Sequence, residues 1–424
     1  MMEWLKRHRG WITLIVLAAI YYPFFGKGLQ GILLYTGASH CILVQQALPP
    51  CAPMFPYAPA LAAVVMPIGF MPAALQKLVW YVICVGSLVI TVRLTEAMTE
   101  RLYPGATYGR NLVWLRCVSL FVCSKHIMDV LNYQAYEAPS LAMVTLGTWA
   151  LTIGREALSG FCLGAVAAIR ATPLVFLPYL LWKRRYLACA MFIPFLVAFS
   201  VLPDVISWLT GGHGGYLNAW LQQTAGPAML PGHSANLPYW GGWTGTGTNN
   251  QSLRGVVNRL ASGPTFGLSP TMILVAVDGV FALAVAALLL ISPRDKKYAV
   301  IDGAVLLIAM LALSPMTSRY HFVLVLPAVM LVVAAVINDR RMRVYGSVVL
   351  GASFMLLTGT SNDLTGWFFG EFPYVYGFMP EGAIVLLAAF AMMARIWQPP
   401  GIADARLSSE PSSGFAEPVA PASP

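Results

Sequence analysis

The sequence predicts an all-α polytopic membrane protein, a helical bundle of about ten to twelve transmembrane helices, and three observations predict it. Apolar residues make up 58% of the 424-residue chain. Charged residues make up only 10%, where a soluble domain carries about 25%, and mean hydropathy is +0.70. The apolar residues also fall into runs near helix-spanning length, and a bilayer core admits only helices or closed barrels. A net charge of +9 would suggest nucleic acid for a soluble chain. Here the cations lie between apolar runs, so membrane lipid is the expected partner and nucleic acid is not.

Taken in order, the first span reads at 11–25, after Lys6-Arg7-His8-Arg9. It lacks a convincing small-residue cleavage site and reads as an uncleaved span rather than a removed leader. Further spans read near 75–95, 111–124, 139–154, 187–203, 272–292, 299–313, 321–337, 344–358 and 382–397. Residues 157–182 differ, because Ile169-Arg170-Ala171-Thr172-Pro173 places a charge and a proline in mid-segment. Arg155 precedes this run and Lys183-Arg184-Arg185 follows it. Cations at both ends predict a re-entrant hairpin, 157–169 and 172–182, rather than one straight span. Residues 56–74 are apolar but short and proline-bounded, and read as an interfacial or re-entrant helix on the outer face.

With that hairpin, one orientation puts nearly all the basic clusters in the cytoplasm: Lys6-Arg7-Arg9, Arg93/Arg101/Arg110, Lys183-Arg184-Arg185, Arg294-Lys296-Lys297 and Arg340-Arg341-Arg343. The expected location is the plasma (inner) membrane. Loops 26–74, 125–138, 204–271 and 359–381, with a short one at 314–320, then lie outside. Residues 1–397 form the transmembrane domain, and the Pro-, Ser- and Ala-rich 398–424 reads as a disordered cytoplasmic tail. Cys41 and Cys51 share one loop and pair if it faces an oxidising compartment. The other five cysteines lie in apolar runs and read as small core residues.

Four stretches carry chemistry. Thr248-Asn249-Asn250-Gln251-Ser252-Leu253-Arg254-Gly255 opens a polar, amide-rich segment in a long non-hydrophobic interval. If 253–260 begins a helix, Arg254 and Arg259 are offset by roughly 140° and can meet an anion from two sides, since a guanidinium fork matches phosphate oxygens. Contact with lipid headgroups is the plainer reading. Ionisable residues at membrane depth are costly, so Arg116, Arg170, Asp278 and His321 are candidates, with Arg319 two residues before His321. Lys125-His126-Ile127-Met128-Asp129 through Glu137 mixes acid, base and amide, and Asp129 and Glu137 qualify by type as a general base. Trp220, Tyr239, Trp240 and Trp243 read as a membrane aromatic belt or as the floor of a sugar site.

In sequence, the chain shows Phe55-Pro56-Tyr57-Ala58-Pro59, Asn132-Tyr133-Gln134-Ala135-Tyr136 and a glycine-spaced run ending Arg170-Ala171-Thr172-Pro173. Asn250-Gln251-Ser252-Leu253-Arg254-Gly255 and Leu313-Ser314-Pro315 through Tyr320-His321 follow. Over roughly 11–397 this order resembles the GT-C fold glycosyltransferases of family eighty-seven, the polyprenol-phosphate-mannose-dependent mannosyltransferases and their relatives. The resemblance implies a polyprenyl phosphate sugar donor, a lipid or glycan acceptor, inverting transfer and an active site on the extracytoplasmic face. It implies donor-phosphate contacts from Arg254, Arg319, His321 and Arg170. Substrate contacts would come from Asn250, Gln251, Ser252, Gln134 and Tyr35. No cofactor is expected: no Asp-x-Asp motif occurs, and arginines can hold a monophosphate leaving group.

The chain departs from that family at the first outer loop. The usual catalytic aspartate, four residues before a tyrosine, is replaced by Gly31 ahead of Tyr35, and no acid occurs in 10–95. Tyr133-Gln134-Ala135-Tyr136 stands for a Gly-Gln-x-Asn pattern, and Arg170 for a lysine. Asp129, Glu137 and His40 are left to serve as base. A flippase or transporter of lipid-linked sugar, and a catalytically inactive relative acting as a binding subunit, are the alternative functions.

Overall fold

The computed structural model describes residues 31–53, 57–229, 247–261, 269–366 and 368–396, with 19, 22, 25 and 55 besides. The span read at 11–25, the aromatics Tyr239, Trp240 and Trp243, and the tail therefore lie outside the described residues. Among those described the regular structure is helical, without strands. The main elements are α1 (Gly31–Leu43), α2 (Pro59–Gly69), α3 (Ala73–Leu102), α4 (Gly109–Val122), α5 (Ser124–Asn132), α6 (Glu137–Thr152), α7 (Glu156–Ile169), α8 (Phe176–Trp182) and α9 (Tyr186–Leu209). They continue with α10 (Tyr216–Trp220), α11 (Leu253–Ala261), α12 (Pro270–Ile291), α13 (Ala299–Ala312), α14 (Leu326–Asn338, led by a 3-10 turn Arg319–Val325), α15 (Arg340–Phe354) and α16 (Phe378–Ile396).

Among the described residues, six helical segments are long and apolar enough to cross a bilayer: Ala73–Leu102, Tyr186–Leu209, Thr271–Ile291, Arg319–Asn338, Arg340–Gly359 and Phe378–Ile396. The protein is thus a multi-pass, all-α membrane protein. Two segments read as loops are helical. Gly31–Leu43 forms α1 inside the long first loop, and Ser124–Asn132 forms the amphipathic α5. Helix α1 is apolar but only 13 residues long, shorter than a span of about 20 residues, so it does not stand out as one.

The hairpin at 157–182 is present, and glycine explains its packing. A Cβ on Gly160 would collide with the Ala188 carbonyl oxygen, and one on Gly164 with that of Phe192. Four residues along α7 thus match four along α9, so these two helices run the same way with their backbones in contact, as small-x-x-x-small stripes allow. The chain between them must then double back, and α8 is that return. Glu156 and Arg185, at the starts of α7 and α9, pair at 3.3 Å. The chain turns extended at Arg170, φ −144° and ψ 120°. Pro173, which has no amide hydrogen to continue α7, instead sits in the first turn of the 3-10 helix Thr172–Val175, so α7 stops at Ile169 and Arg170 lies at the tip. Gly164→Leu is expected to part α7 from α9 and destabilise the protein by more than about 3 kcal/mol. Loss of monodisperse protein in detergent, with Leu163→Met tolerated, is the check.

The contacts sort the bundle into two ends. Arg101 donates to the Thr152 carbonyl, Lys183 to that of Ser292, and Arg185 to that of Arg294. Lys183 also pairs with Asp302 at 3.1 Å. These contacts gather three of the cationic clusters at one end, called the basic end below. Within the bundle, Arg116 of α4 meets Glu96 of α3 through two contacts at 2.6 and 2.9 Å. That fork closes on a carboxylate of the chain itself, so Arg116 ties two helices together.

Candidate active site

At the opposite end, three side chains converge on one carboxylate. Glu137 opens α6, where the helix dipole favours an anion, and it is 1% exposed. His321 Nε2 lies 2.8 Å from its Oε1, and the Arg170 guanidinium donates to the same oxygen at 3.1 Å. The Tyr57 hydroxyl is 3.2 Å from Oε1 and 3.4 Å from Oε2. His321 Nδ1 accepts from the Ser318 backbone N–H, which leaves the ring proton on Nε2, facing Glu137. Both ring nitrogens are therefore occupied, and the imidazole positions the carboxylate. Oε2, with only the longer tyrosine contact, is the less engaged oxygen.

The turn Ser314–Ser318 joins this cluster to the amide-rich stretch. Arg170 donates a second bond to the Met316 carbonyl at 3.4 Å. The Pro315 carbonyl accepts from Asn250 Nδ2 and Ser252 Oγ, each at 3.2 Å. Gln251 N–H donates to the Thr317 carbonyl at 2.6 Å, and Asn250 Oδ1 accepts from Thr317 and Ser252 amides. Gln251 Nε2 goes to the Thr248 and Tyr374 carbonyls. Asn250, Gln251 and Ser252 are all buried, and these bonds are to the chain's own backbone. Two motifs, with Asn250 and Pro315 separated by 65 residues in sequence, thus form one clamp behind the site.

Arg259 completes the clamp. Its guanidinium donates to the carbonyls of Val375, Gly247, Asn250 and Tyr374 at 2.6 to 3.1 Å. Burial pulls its pKa down to about 10, so it stays charged at neutral pH. It does not share an anion with Arg254, as the helical offset suggested, because its fork is turned onto backbone. Arg259→Lys cannot reproduce that fork and is expected to cost on the order of 2–3 kcal/mol. Faster proteolysis within 247–261 is the readout. Arg254 lies 3.8 Å from Asp278 of α12, the partner that this intramembrane acid required. The Arg319 guanidinium stacks 4.5 Å from the Tyr374 ring centroid, and among the described residues it has no carboxylate partner.

The remaining candidates surround Glu137. Gln134 takes a left-handed conformation, φ +52°, which turns the chain from α5 into α6. Its Oε1 accepts the Ile32 amide at 3.3 Å, and its carbonyl accepts the Trp80 indole N–H at 2.8 Å. Gln134 Nε2 is buried and has no partner among the described residues. Such a donor needs an acceptor to offset its desolvation. The Tyr35 hydroxyl accepts the Tyr136 amide at 3.3 Å, and its ring stands edge-on to Tyr57 at 5.5 Å and Trp80 at 5.7 Å. Asp129 is buried on α5 and bonded to Lys125 at 2.6 Å, apart from the Glu137 group. Burial holds the neighbouring His126 down to about 3, so it packs as a neutral ring. His40, on the exposed side of α1, is not drawn into this group. Tyr57 and Ser318 were not read as site residues. Tyr57 lay in a quoted motif, but nothing in its spacing connects it with Glu137.

A buried carboxylate held by Arg and His at one end of a multi-pass helical bundle, ringed by tyrosines, defines a membrane protein built for polar chemistry beside lipid. Residues 55–315 match Glycosyltransferase family 87. The chain belongs to that family. It is 24% identical over 306 residues to a polyprenol-phosphate-mannose-dependent alpha-(1-2)-phosphatidylinositol pentamannoside mannosyltransferase of Mycobacterium tuberculosis (strain CDC 1551 / Oshkosh), covering 72% of this chain and 63% of the relative. A protein of the same description from Mycolicibacterium smegmatis (strain ATCC 700084 / mc(2)155) is 24% identical over 307 residues, 72% and 66% of the two chains. The chain thus spans less than two thirds of the length of either relative. No solved structure matches it.

Proposed function

We propose that this protein is an inverting membrane glycosyltransferase that moves a mannose-like hexose or pentose from a polyprenyl phosphate to a hydroxyl of a lipid or glycan acceptor. The observation that carries the reading is the convergence of Glu137, Arg170, His321 and Tyr57 on one buried point. Family membership supports transfer, and the polyprenol-phosphate-mannose dependence in both relatives' names supports the donor.

In this reading Glu137 Oε2 takes the proton of the acceptor hydroxyl as its oxygen attacks the anomeric carbon, and the bond to the phosphate oxygen breaks on the opposite face. His321 and Arg170 fix the carboxylate and keep it ionised. Arg319 and Arg254 stabilise the departing phosphate. Such charge stabilisation is worth about 3–4 kcal/mol per donor in a water-poor site. Gln134 Nε2 supplies a sugar contact. Asn250, Gln251 and Ser252 act on the substrate through the shape of the clamp. The catalytic end faces away from the cytoplasm. The cation-rich opposite end supports this by the positive-inside rule, and the Cys41–Cys51 disulfide supports it because such bonds persist in oxidising compartments.

The test is transfer from radiolabelled polyprenyl-phosphate-mannose in proteoliposomes. Wild-type protein is expected to release polyprenyl phosphate and label an alkyl mannoside, and Arg319→Ala to cut kcat/KM by about 100-fold or more. Donor lipid crossing the bilayer without sugar transfer would show a transporter instead.

A further inference from the structure

A cavity lies against the site. Its volume is about 260 Å³, and it opens between the disulfide-closed loop after α1 and the α10 segment, with Phe55, Tyr57, Tyr216, Trp220, Gln223 and Thr224 among its walls. Tyr57 belongs to both places: its ring lines the cavity, and its hydroxyl bonds Glu137. Among the described residues, the cavity walls hold the rings of Phe55, Tyr57, Tyr216 and Trp220, His213 and several amide and hydroxyl groups, but no Lys, Arg, Asp or Glu. Trp220 Nε1 is a buried donor with no acceptor among the described residues, and it is the kind of group that a ligand hydroxyl satisfies.

We infer that this cavity is the acceptor subsite, and that it takes a single neutral sugar ring at the tip of a glycan or glycolipid. The inference rests on the transferase reading above. Aromatic faces cover the apolar side of a pyranose, while amide, hydroxyl and indole groups meet its hydroxyls. The lack of Lys and Arg among the described lining residues separates this cavity from the arginines assigned to the donor phosphate, so the two substrates are told apart by charge. A volume below the roughly 300–1,000 Å³ of pockets for drug-sized ligands suits one ring rather than a chain of rings. The shared Tyr57 sets the sugar's leading hydroxyl toward Glu137.

The experiment uses full-length protein in proteoliposomes, with octyl α-mannoside as acceptor and a diazirine on the sugar of the same glycoside for crosslinking. Trp220→Ala is expected to raise the acceptor KM about tenfold, with kcat and the donor KM moving less than twofold. Trp220→Phe restores part of the loss. Ala219→Trp, which fills the cavity from the neighbouring position of α10, raises the acceptor KM further. The probe labels residues 45–57 and 213–224, and octyl glucuronide competes poorly. An unaltered acceptor KM in both cavity variants, or equal labelling by an octyl chain bearing no sugar, overturns the inference. Wild-type protein that never consumes the donor sinks the transferase reading instead, and crosslinking then decides on the cavity by itself.

Discussion

Glu137→Gln is expected to lower kcat by about 10²–10⁴-fold while the protein still folds. The amide keeps the shape of the side chain, so His321 Nε2–H still finds an oxygen and Tyr57 keeps a partner. What disappears is the negative charge and the ability to take a proton. Glu137→Ala is a poorer test. It removes the oxygen that accepts from Arg170 and His321 along with the charge, and breaking a buried pair costs about 3–5 kcal/mol. Glu137→Asp retreats by one methylene and should keep a small fraction of turnover. Asp129→Asn is expected to cost far less turnover, because Asp129 sits in its own pair with Lys125. Measuring kcat beside a thermal midpoint for each variant separates the roles. Full turnover by Glu137→Gln would make Glu137 an anchor for Arg170 and leave the base elsewhere.

How much of this was legible in the sequence depends on whether the signal was local. The hairpin tip at Arg170 followed from a charge and a proline within four residues, and the basic end followed from cation runs beside apolar ones. The start of α11 at Leu253 likewise followed from the polar stretch before it. Helix α1 was not legible, because it is only 13 residues long, too short to read as a span, and small polar residues sit among the apolar ones on its buried side. The direction of a guanidinium is set by contacts distant in sequence. Arg254 and Arg259 are the same residue type on one short helix, yet one reaches Asp278 and the other closes on the 374–375 carbonyls. The amides of 250–252 read as ligand contacts because they are polar in an apolar chain. Their partners are backbone carbonyls on a turn that only the fold brings near.

The same distinction governs the position where the family's aspartate is missing. Sequence logic says that Gly31→Asp restores a lost acid, and that Gly→Ala in a helix gains about 1 kcal/mol. The packing says the reverse. A Cβ at Gly31 would stand 2.6 Å from the Tyr133 carbonyl oxygen, 2.8 Å from that of Gln134 and 3.1 Å from the Tyr35 hydroxyl. Two of these are backbone atoms of the turn that presents Glu137, so neither can swing aside. An aspartate there adds a second anion facing two carbonyl dipoles, beside a carboxylate already paired with Arg170. Gly31→Asp is therefore expected to abolish transfer, and Gly31→Ala to lower the thermal midpoint by several degrees, for a loss of about 1–3 kcal/mol. Gly31→Asp combined with Glu137→Gln distinguishes the alternatives most sharply. If the two carboxylates were interchangeable, the double variant would regain turnover over Glu137→Gln. Closure of the Tyr133–Gln134 turn onto α1 predicts that it stays inactive and less stable than either single variant.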